Sequence, residues 1–159
     1  MIKKINFTKE TEERKNVKNI NNDVFDSDKH LEMLQKLKTN TEFDDDKIII
    51  KSLKQKLNSY KTQDKRKDRY DNETFIKYNE LLEKLIESEM KCKYCESITL
   101  IMYANKRESK QWTLDRIDNS IGHSNLNTII SCLKCNLQRR CQNKDNFLFT
   151  KQLKIEKSL

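Results

Sequence analysis

Hydrophobic residues recur at steps of three and four along residues 31–90, which is the spacing of one face of a helix. They form three groups: Leu31, Leu34 and Leu37; Ile49, Leu53 and Leu57; and Phe75, Tyr78, Leu82 and Leu85. We therefore predict three helices, the third capped by Asp71 or Asn72 and continuing to about Met90. Residues 1 to about 30 lack this period, which predicts a loose polar arm.

Short runs rich in β-forming residues follow after residue 95. Residues 98–103 predict one strand, and residues 111–114 and 128–131 predict two strands that face each other across a polar loop. A helix is expected to begin at Leu133, and Asp145 is a candidate cap for a last short helix.

These elements predict an α+β fold in two parts. Residues 1–70 would form a basic extension that is partly disordered or helical. Residues 71–159 would form a small domain, in which a helix over residues 72–90 covers a compact core over residues 91–141 and a C-terminal element.

Positive charge is concentrated in the C-terminal part of the chain. The net charge is +8, and residues 91–159 carry thirteen basic against six acidic residues, a net of +7. This excess indicates a polyanionic partner such as DNA, with RNA as a possible alternative. Residues 47–69 hold nine basic residues opposed only by Asp64 and Asp68. That helix either contacts DNA or packs one apolar stripe and keeps a solvated basic face.

Five cysteines dominate the candidate chemistry. No apolar run approaches the roughly 20 residues of a membrane helix, and the N-terminus has no signal-peptide pattern, so we expect an intracellular protein with no membrane partner. Thiols stay reduced in that setting, and paired Cys-x-x-Cys motifs then indicate a metal site before a disulfide.

The cysteine spacing predicts structural zinc. Cys92 and Cys95 form one pair, Cys132 and Cys135 form the other, and together they offer the four thiolates of a tetrahedral zinc site. A module of this size buries little apolar surface, so a metal staple would also meet a physical need. Disulfides or unpaired core cysteines are the alternatives, and Cys141 is expected to be an ordinary helix residue.

The residues between the two cysteine pairs resemble the HNH endonuclease motif, in particular the zinc-knuckle HNH proteins carried by phages and large DNA viruses. The resemblance covers about residues 91–140. Its matching segments are Leu114-Asp115-Arg116-Ile117-Asp118-Asn119, Gly122-His123, Asn127 and Cys132-Leu133-Lys134-Cys135-Asn136. It implies a β-hairpin followed by a helix that together clasp one divalent ion, the ββα-metal arrangement.

The resemblance also implies roles for individual residues. Asp115 and Asn136 would bind a catalytic Mg²⁺ or Mn²⁺, since hard ions prefer oxygen ligands, and Asn127 would hold the hairpin loop in shape. Arg139 and Arg140 would contact neighbouring phosphates of the nucleic acid.

Arg116 departs from the motif, because it stands where the family carries its general-base histidine. A guanidinium does not lose its proton in proteins, so Arg116 would contact phosphate instead. His123 in the same loop is the candidate base; Asp118 is a second candidate, and a site without a protein base is the third possibility. Asp115 and Asp118 are also residues that form turns and cap backbone locally.

The sequence therefore predicts a metal-dependent HNH-type DNA endonuclease or nickase. Asp115 favours this interpretation, because simple phosphate binding gains nothing from a carboxylate. A non-catalytic zinc-stapled nucleic-acid-binding module derived from the same fold is the alternative that Arg116 favours. A structural or interaction protein is the third class.

Overall fold

The computed structural model describes residues 25–153, which form five helices and one two-stranded sheet. In chain order they are α1 (Ser27–Lys38), α2 (Asp46–Arg66), α3 (Tyr78–Glu87), β1 (Trp112–Arg116), β2 (Thr128–Cys132), α4 (Leu133–Arg139) and α5 (Lys144–Gln152). The expected mixture of helices and a small antiparallel sheet is confirmed. Most of the predicted N-terminal arm lies outside the described residues.

The first two helices form where the hydrophobic period predicted them. In α1 the buried apolar residues are Leu34 and Leu37. The helix begins slightly before the predicted start, because the Asp26 side chain accepts a hydrogen bond from the Asp28 backbone and caps it. In α2 the predicted stripe is buried, and it continues for two further turns through Tyr60 and Asp64.

The third helix is shorter than the predicted range of residues 72–90. Asp71 does not cap it; its carboxylate accepts a hydrogen bond from the Thr74 hydroxyl at 3.0 Å within a separate turn. The helix begins only at Tyr78. It ends before Glu89 and Met90, whose φ angles of 50° and 57° are incompatible with a continuing right-handed helix.

The strand predicted over residues 98–103 does not form. That segment makes only isolated bridges, one between Lys91 and Ile98 and one between Leu100 and Gln111. The β-forming composition reflects burial instead, since Ile101 and Met102 are in the core. A run of β-formers becomes a strand only when a neighbouring segment pairs with it along its length.

The hairpin and the helix after it form as predicted. β1 and β2 pair in antiparallel register from Trp112 opposite Cys132 to Arg116 opposite Thr128. The chain passes from β2 directly into α4.

The last helix is capped by a residue other than the predicted one. The Asn143 side chain accepts hydrogen bonds from the backbone of Asp145 and Asn146, so Asp145 lies in the first turn. Phe147 is the buried residue of α5.

The larger of two hydrophobic clusters crosses the predicted division at residue 70. Its buried members from both sides include Leu34, Ile49, Leu53, Leu81, Leu85, Trp112, Leu114 and Ile130. Polar contacts add to this packing: Lys56 donates to the Gln111 side chain at 2.8 Å, and the Leu114 backbone donates to Tyr60 Oη at 3.1 Å. α2 is therefore fixed against β1, and its C-terminal end lies beside the loop between the strands.

Candidate active site and metal centre

Four cysteines come together where the hairpin meets α4. The sulfur atoms of Cys92, Cys95, Cys132 and Cys135 all lie within 4.8 Å of one another, and all four are free of disulfides. Such a set could hold a metal ion. A hydrogen bond from Cys132 lowers the pKa of Cys92 well below its ordinary value, which favours the thiolate form of a metal ligand. Cys141 is exposed, follows α4 and lies outside the group.

Tyr94 connects this cysteine cluster to Asp115. It stands between Cys92 and Cys95, is fully buried, and packs edge-on against Phe147. Its hydroxyl donates a hydrogen bond of 2.5 Å to Asp115 Oδ2.

Asp115 is a buried, paired carboxylate. Only 4% of it is exposed, and its second oxygen, Oδ1, accepts a hydrogen bond of 2.7 Å from Arg139 Nη1. Burial raises the pKa of Asp115, while the hydrogen bond from Tyr94 and the charge of Arg139 act in the opposite direction. The carboxylate is therefore part of a structural ion pair as well as of the candidate site.

Arg139, for which the sequence predicts a phosphate contact, is buried and paired within the protein. This residue is 1% exposed, and its guanidinium also donates to the carbonyls of Arg116 and Ile117 at 2.7 and 3.0 Å. These contacts with Asp115 and the backbone leave no guanidinium face at the surface. A sequence shows the charge of such an arginine but not whether its partner is protein or ligand.

Five of the predicted site residues line one cavity of about 300 Å³, whereas Asn127 and Asp118 lie outside it. Its lining includes Asp115, Arg116, His123, Asn136 and Arg140. Arg69, three residues after the end of α2, lines it as well. Three arginines therefore line a cavity whose carboxylate is already paired, so the cavity favours an anion.

Asn136 and Asn127 have different surroundings. Asn136 lines the cavity, and its Nδ2 donates to Thr113 Oγ1 at 3.1 Å, which leaves the amide oxygen for another partner. Asn127 is buried and bridges the hairpin loop. It donates to the carbonyls of Asp118 and Gly122 and accepts from the Asp118 backbone.

The loop itself is held by short local contacts. Asp118 is exposed, and its Oδ1 accepts from the backbone and the hydroxyl of Ser120 at 2.8 and 2.6 Å. These bonds lower the pKa of Asp118 and match the turn-forming interpretation of that residue. Arg116 Nη1 donates to the Ile121 carbonyl at 3.2 Å.

His123 has a partner that sequence reasoning missed, Asp64 of α2. His123 Nδ1 lies 2.8 Å from Asp64 Oδ1, and the His123 backbone donates to Oδ2 at 2.7 Å. Burial lowers the pKa of His123, the Asp64 carboxylate opposes that shift, and Arg116 adds to it. The Tyr60 ring packs on the imidazole at a centroid distance of 4.7 Å.

A signal for Asp64 exists in the sequence. It continues the apolar stripe of Leu53, Leu57 and Tyr60 at helical spacing, so an acid occupies a position that should be buried. A buried carboxylate needs a partner, and this position could have been identified as part of a site.

No family model matches the chain, and comparisons with curated proteins and with solved structures find no match. The HNH resemblance therefore rests on the residues themselves. Between residues 25 and 153, no helix combines the length and apolar character needed to cross a membrane.

Proposed function

We propose that this protein is a metal-dependent HNH-type nuclease that hydrolyses phosphodiester bonds in DNA, as an endonuclease or a nickase. The observation that carries the proposal is the convergence of Arg69, Arg116 and Arg140 with the buried His123 at one cavity. Guanidinium groups bind phosphate oxygens, and an imidazole held through one nitrogen can accept a proton through the other. The net charge of +8 supports a nucleic acid as the polyanion.

Asp115 and Asn136 are the residues that would hold the catalytic ion. Each Asp115 oxygen accepts one hydrogen bond in this structure and keeps a further lone pair, and the Asn136 amide oxygen is available. Because Arg139 already offsets the Asp115 charge, we expect Mg²⁺ or Mn²⁺ to bind together with a substrate phosphate rather than to the protein alone. The ion would supply charge stabilisation for the phosphate as the bond breaks.

His123 would act as the general base. Its Nδ1 contacts Asp64, so Nε2 is the nitrogen available to take a proton from the attacking water. Asp118 is a poorer candidate, since it is exposed and its pKa is lowered by Ser120. Arg116 and Arg140 would bind the phosphate, because a guanidinium group is always charged and donates several hydrogen bonds.

The four-cysteine cluster would hold structural zinc. Tyr94 extends from that cluster to Asp115, so the metal would fix the carboxylate indirectly. Zinc would also join the segment after α3 to the end of β2 and to α4, because 36 residues separate Cys95 from Cys132.

A second candidate is a non-catalytic, zinc-stapled module that binds nucleic acid. The pairing of Asp115 with Tyr94 and Arg139 favours it, because a carboxylate with both oxygens engaged can serve structure alone. The cavity would then bind a backbone phosphate through Arg69, Arg116 and Arg140 without cutting.

Plasmid cleavage separates the two candidates. The full chain would be incubated with supercoiled DNA and Mg²⁺ or Mn²⁺, alongside single-stranded RNA, and compared with Asp115→Asn, His123→Gln and Asp145→Asn. We expect wild type and Asp145→Asn, which changes an exposed acid on α5, to cut DNA equally. His123→Gln should be slower by about 10²-fold or more, and Asp115→Asn should be inactive. Protein with full zinc that binds DNA but cuts no DNA or RNA would instead establish the binding module.

A further inference from the structure

We infer that Asp64 on α2 is the positioning residue for His123, fixing its ring so that Nδ1 carries the proton and Nε2 faces the cavity as the acceptor. The inference rests on the proposed function for its catalytic meaning. It places one essential part of the site outside residues 91–140, on a helix that the HNH resemblance does not cover.

The geometry of the contact carries the inference. One carboxylate binds His123 twice, through the ring Nδ1 at 2.8 Å and through the backbone nitrogen at 2.7 Å. Two contacts from one rigid group fix both the backbone and the ring orientation. A carboxylate is an acceptor only, so its ring partner must be the protonated nitrogen. This assigns the imidazole tautomer.

Burial argues against a purely structural role. Asp64 is 1% exposed and His123 is 4% exposed. Apolar residues of similar volume stabilise a core as well as a buried ionic pair does, or better. The stripe of α2 supplies leucine at the two preceding buried aliphatic positions, 53 and 57. An acid at position 64 is explained by what it does to His123.

The residues around Asp64 and His123 favour their contact. The Tyr60 ring limits imidazole rotation from the α2 side. The loop can approach α2 closely because residue 122 is glycine; a Cβ there would lie 2.4 Å from the Arg69 carbonyl oxygen and 3.0 Å from Asp64 Oδ2. Arg116 Nη1 lies 3.9 Å from Asp64 Oδ1, so the charged groups around the imidazole are Asp64, Arg116 and the cavity-lining Arg69.

Nitrogen NMR of the imidazole tests the inference without any cleavage assay. The chain has two histidines, so the His123 signals are assigned by their loss in His123→Gln. Near neutral pH, wild type should show a protonated Nδ1 and an unprotonated Nε2. In Asp64→Asn the amide oxygen should keep the backbone contact while the amide nitrogen donates to Nδ1, which moves the ring proton to Nε2. Asp68→Asn, which changes the exposed acid just beyond α2, should leave both signals unchanged.

Cleavage adds the functional measurement. Asp64→Asn should lower kcat by about 10²-fold or more with KM and zinc content unchanged, because the altered tautomer removes the base and not the binding surface. Asp64→Glu should restore part of the rate and the wild-type tautomer, and Asp68→Asn should be fully active.

The two proposals fail in different ways. A wild-type ring protonated on Nε2 overturns the inference, as does an Asp64→Asn protein that keeps both the wild-type tautomer and the wild-type rate. If Asp64→Asn does not fold, the wild-type spectrum and Asp64→Glu still decide. A correct tautomer in a protein that cuts nothing would retain the positioning of His123 and reject the nuclease.

Discussion

Two buried carboxylates flank the candidate active site, and their partners differ in one essential property. Asp115 on β1 binds Arg139, whose charge is permanent, whereas Asp64 on α2 binds His123, whose charge depends on pH. The first pair can hold the hairpin against α4 under all physiological conditions. The second can hold a group that exchanges a proton. Under the proposed function, the same residue type would thus serve architecture on one side and chemistry on the other.

Removal of the metal should first disrupt the structure around Asp115. Tyr94 lies between two cysteines of the cluster and donates to Asp115, whereas no hydrogen bond from Asp64 reaches the cluster among the described residues. Structural zinc in small domains contributes on the order of 10 kcal/mol. We expect chelation to unfold the hairpin and α4, measured by the near-ultraviolet circular dichroism of Trp112. A protein that is folded and zinc-free after purification would contradict this.

Deletion of α1 and α2 should instead remove Asp64 together with the helical part of the core. A fragment of residues 71–159 keeps all four cysteines of the cluster but loses the core residues Ile49, Leu53 and Leu57. Each buried leucine or isoleucine contributes about 2–5 kcal/mol. The fragment should therefore bind zinc and yet lack cooperative thermal unfolding, whereas a chain of residues 25–159 should retain it. A cooperatively folded fragment would show that the division at residue 70 is a true domain boundary.

The Arg139→Ala substitution tests how much the Asp115–Arg139 ion pair stabilises the fold. The change leaves Asp115 buried without its cation, a loss that costs about 3–5 kcal/mol. Arg140→Ala is the matched control, because this neighbour is exposed and its replacement should change stability by less than about 0.5 kcal/mol. Urea unfolding of the two variants measures the difference. Equal stability would mean that the Asp115–Arg139 pair contributes nothing net.

The pH dependence of stability should show the smallest effect, and it distinguishes the Asp64–His123 pair from the Asp115–Arg139 pair. Burial lowers the folded-state pKa of His123 below its usual 6.5, so the unfolded chain binds more protons between the two values. The free energy of unfolding should therefore decrease as pH falls from about 6.5 towards the folded pKa. In His123→Gln this part of the pH dependence should disappear. A wild-type protein that gains stability over that interval would show that the pair with Asp64 outweighs burial.

The same contrast explains what sequence could predict. The hairpin, α4 and the grouping of the four cysteines follow from spacing within short segments, and these predictions are confirmed. The zinc itself, the divalent ion and the nucleic-acid partner stay predictions. Arg139 and Asp64 depend on partners 24 and 59 residues away. The stripe of α2 can mark Asp64 as buried, but no local pattern identifies the partner of either residue. The sequence accordingly predicts a phosphate contact for Arg139 and gives Asp64 no role beyond its charge.

Local competition explains the errors in secondary structure. The sequence predicts Asp71 or Asn72 as the cap of α3, but the short Asp71 side chain also suits the turn that forms there. Residues 98–103 have strand composition without a partner along their length. In each case the residues have the expected local propensity, but contacts with neighbouring segments determine the structure that forms.

Gly122 carries a consequence for the evolution of this chain. Its backbone does not adopt a left-handed φ, so the requirement for glycine is one of space: a Cβ would strike the Arg69 carbonyl and crowd Asp64. A methyl group at this position would separate the loop from α2 without disturbing either element. In any set of homologues, we therefore expect positions 64 and 122 to covary, with glycine kept wherever the acid is kept. Lineages that lose one should be free to lose the other, and with it the histidine.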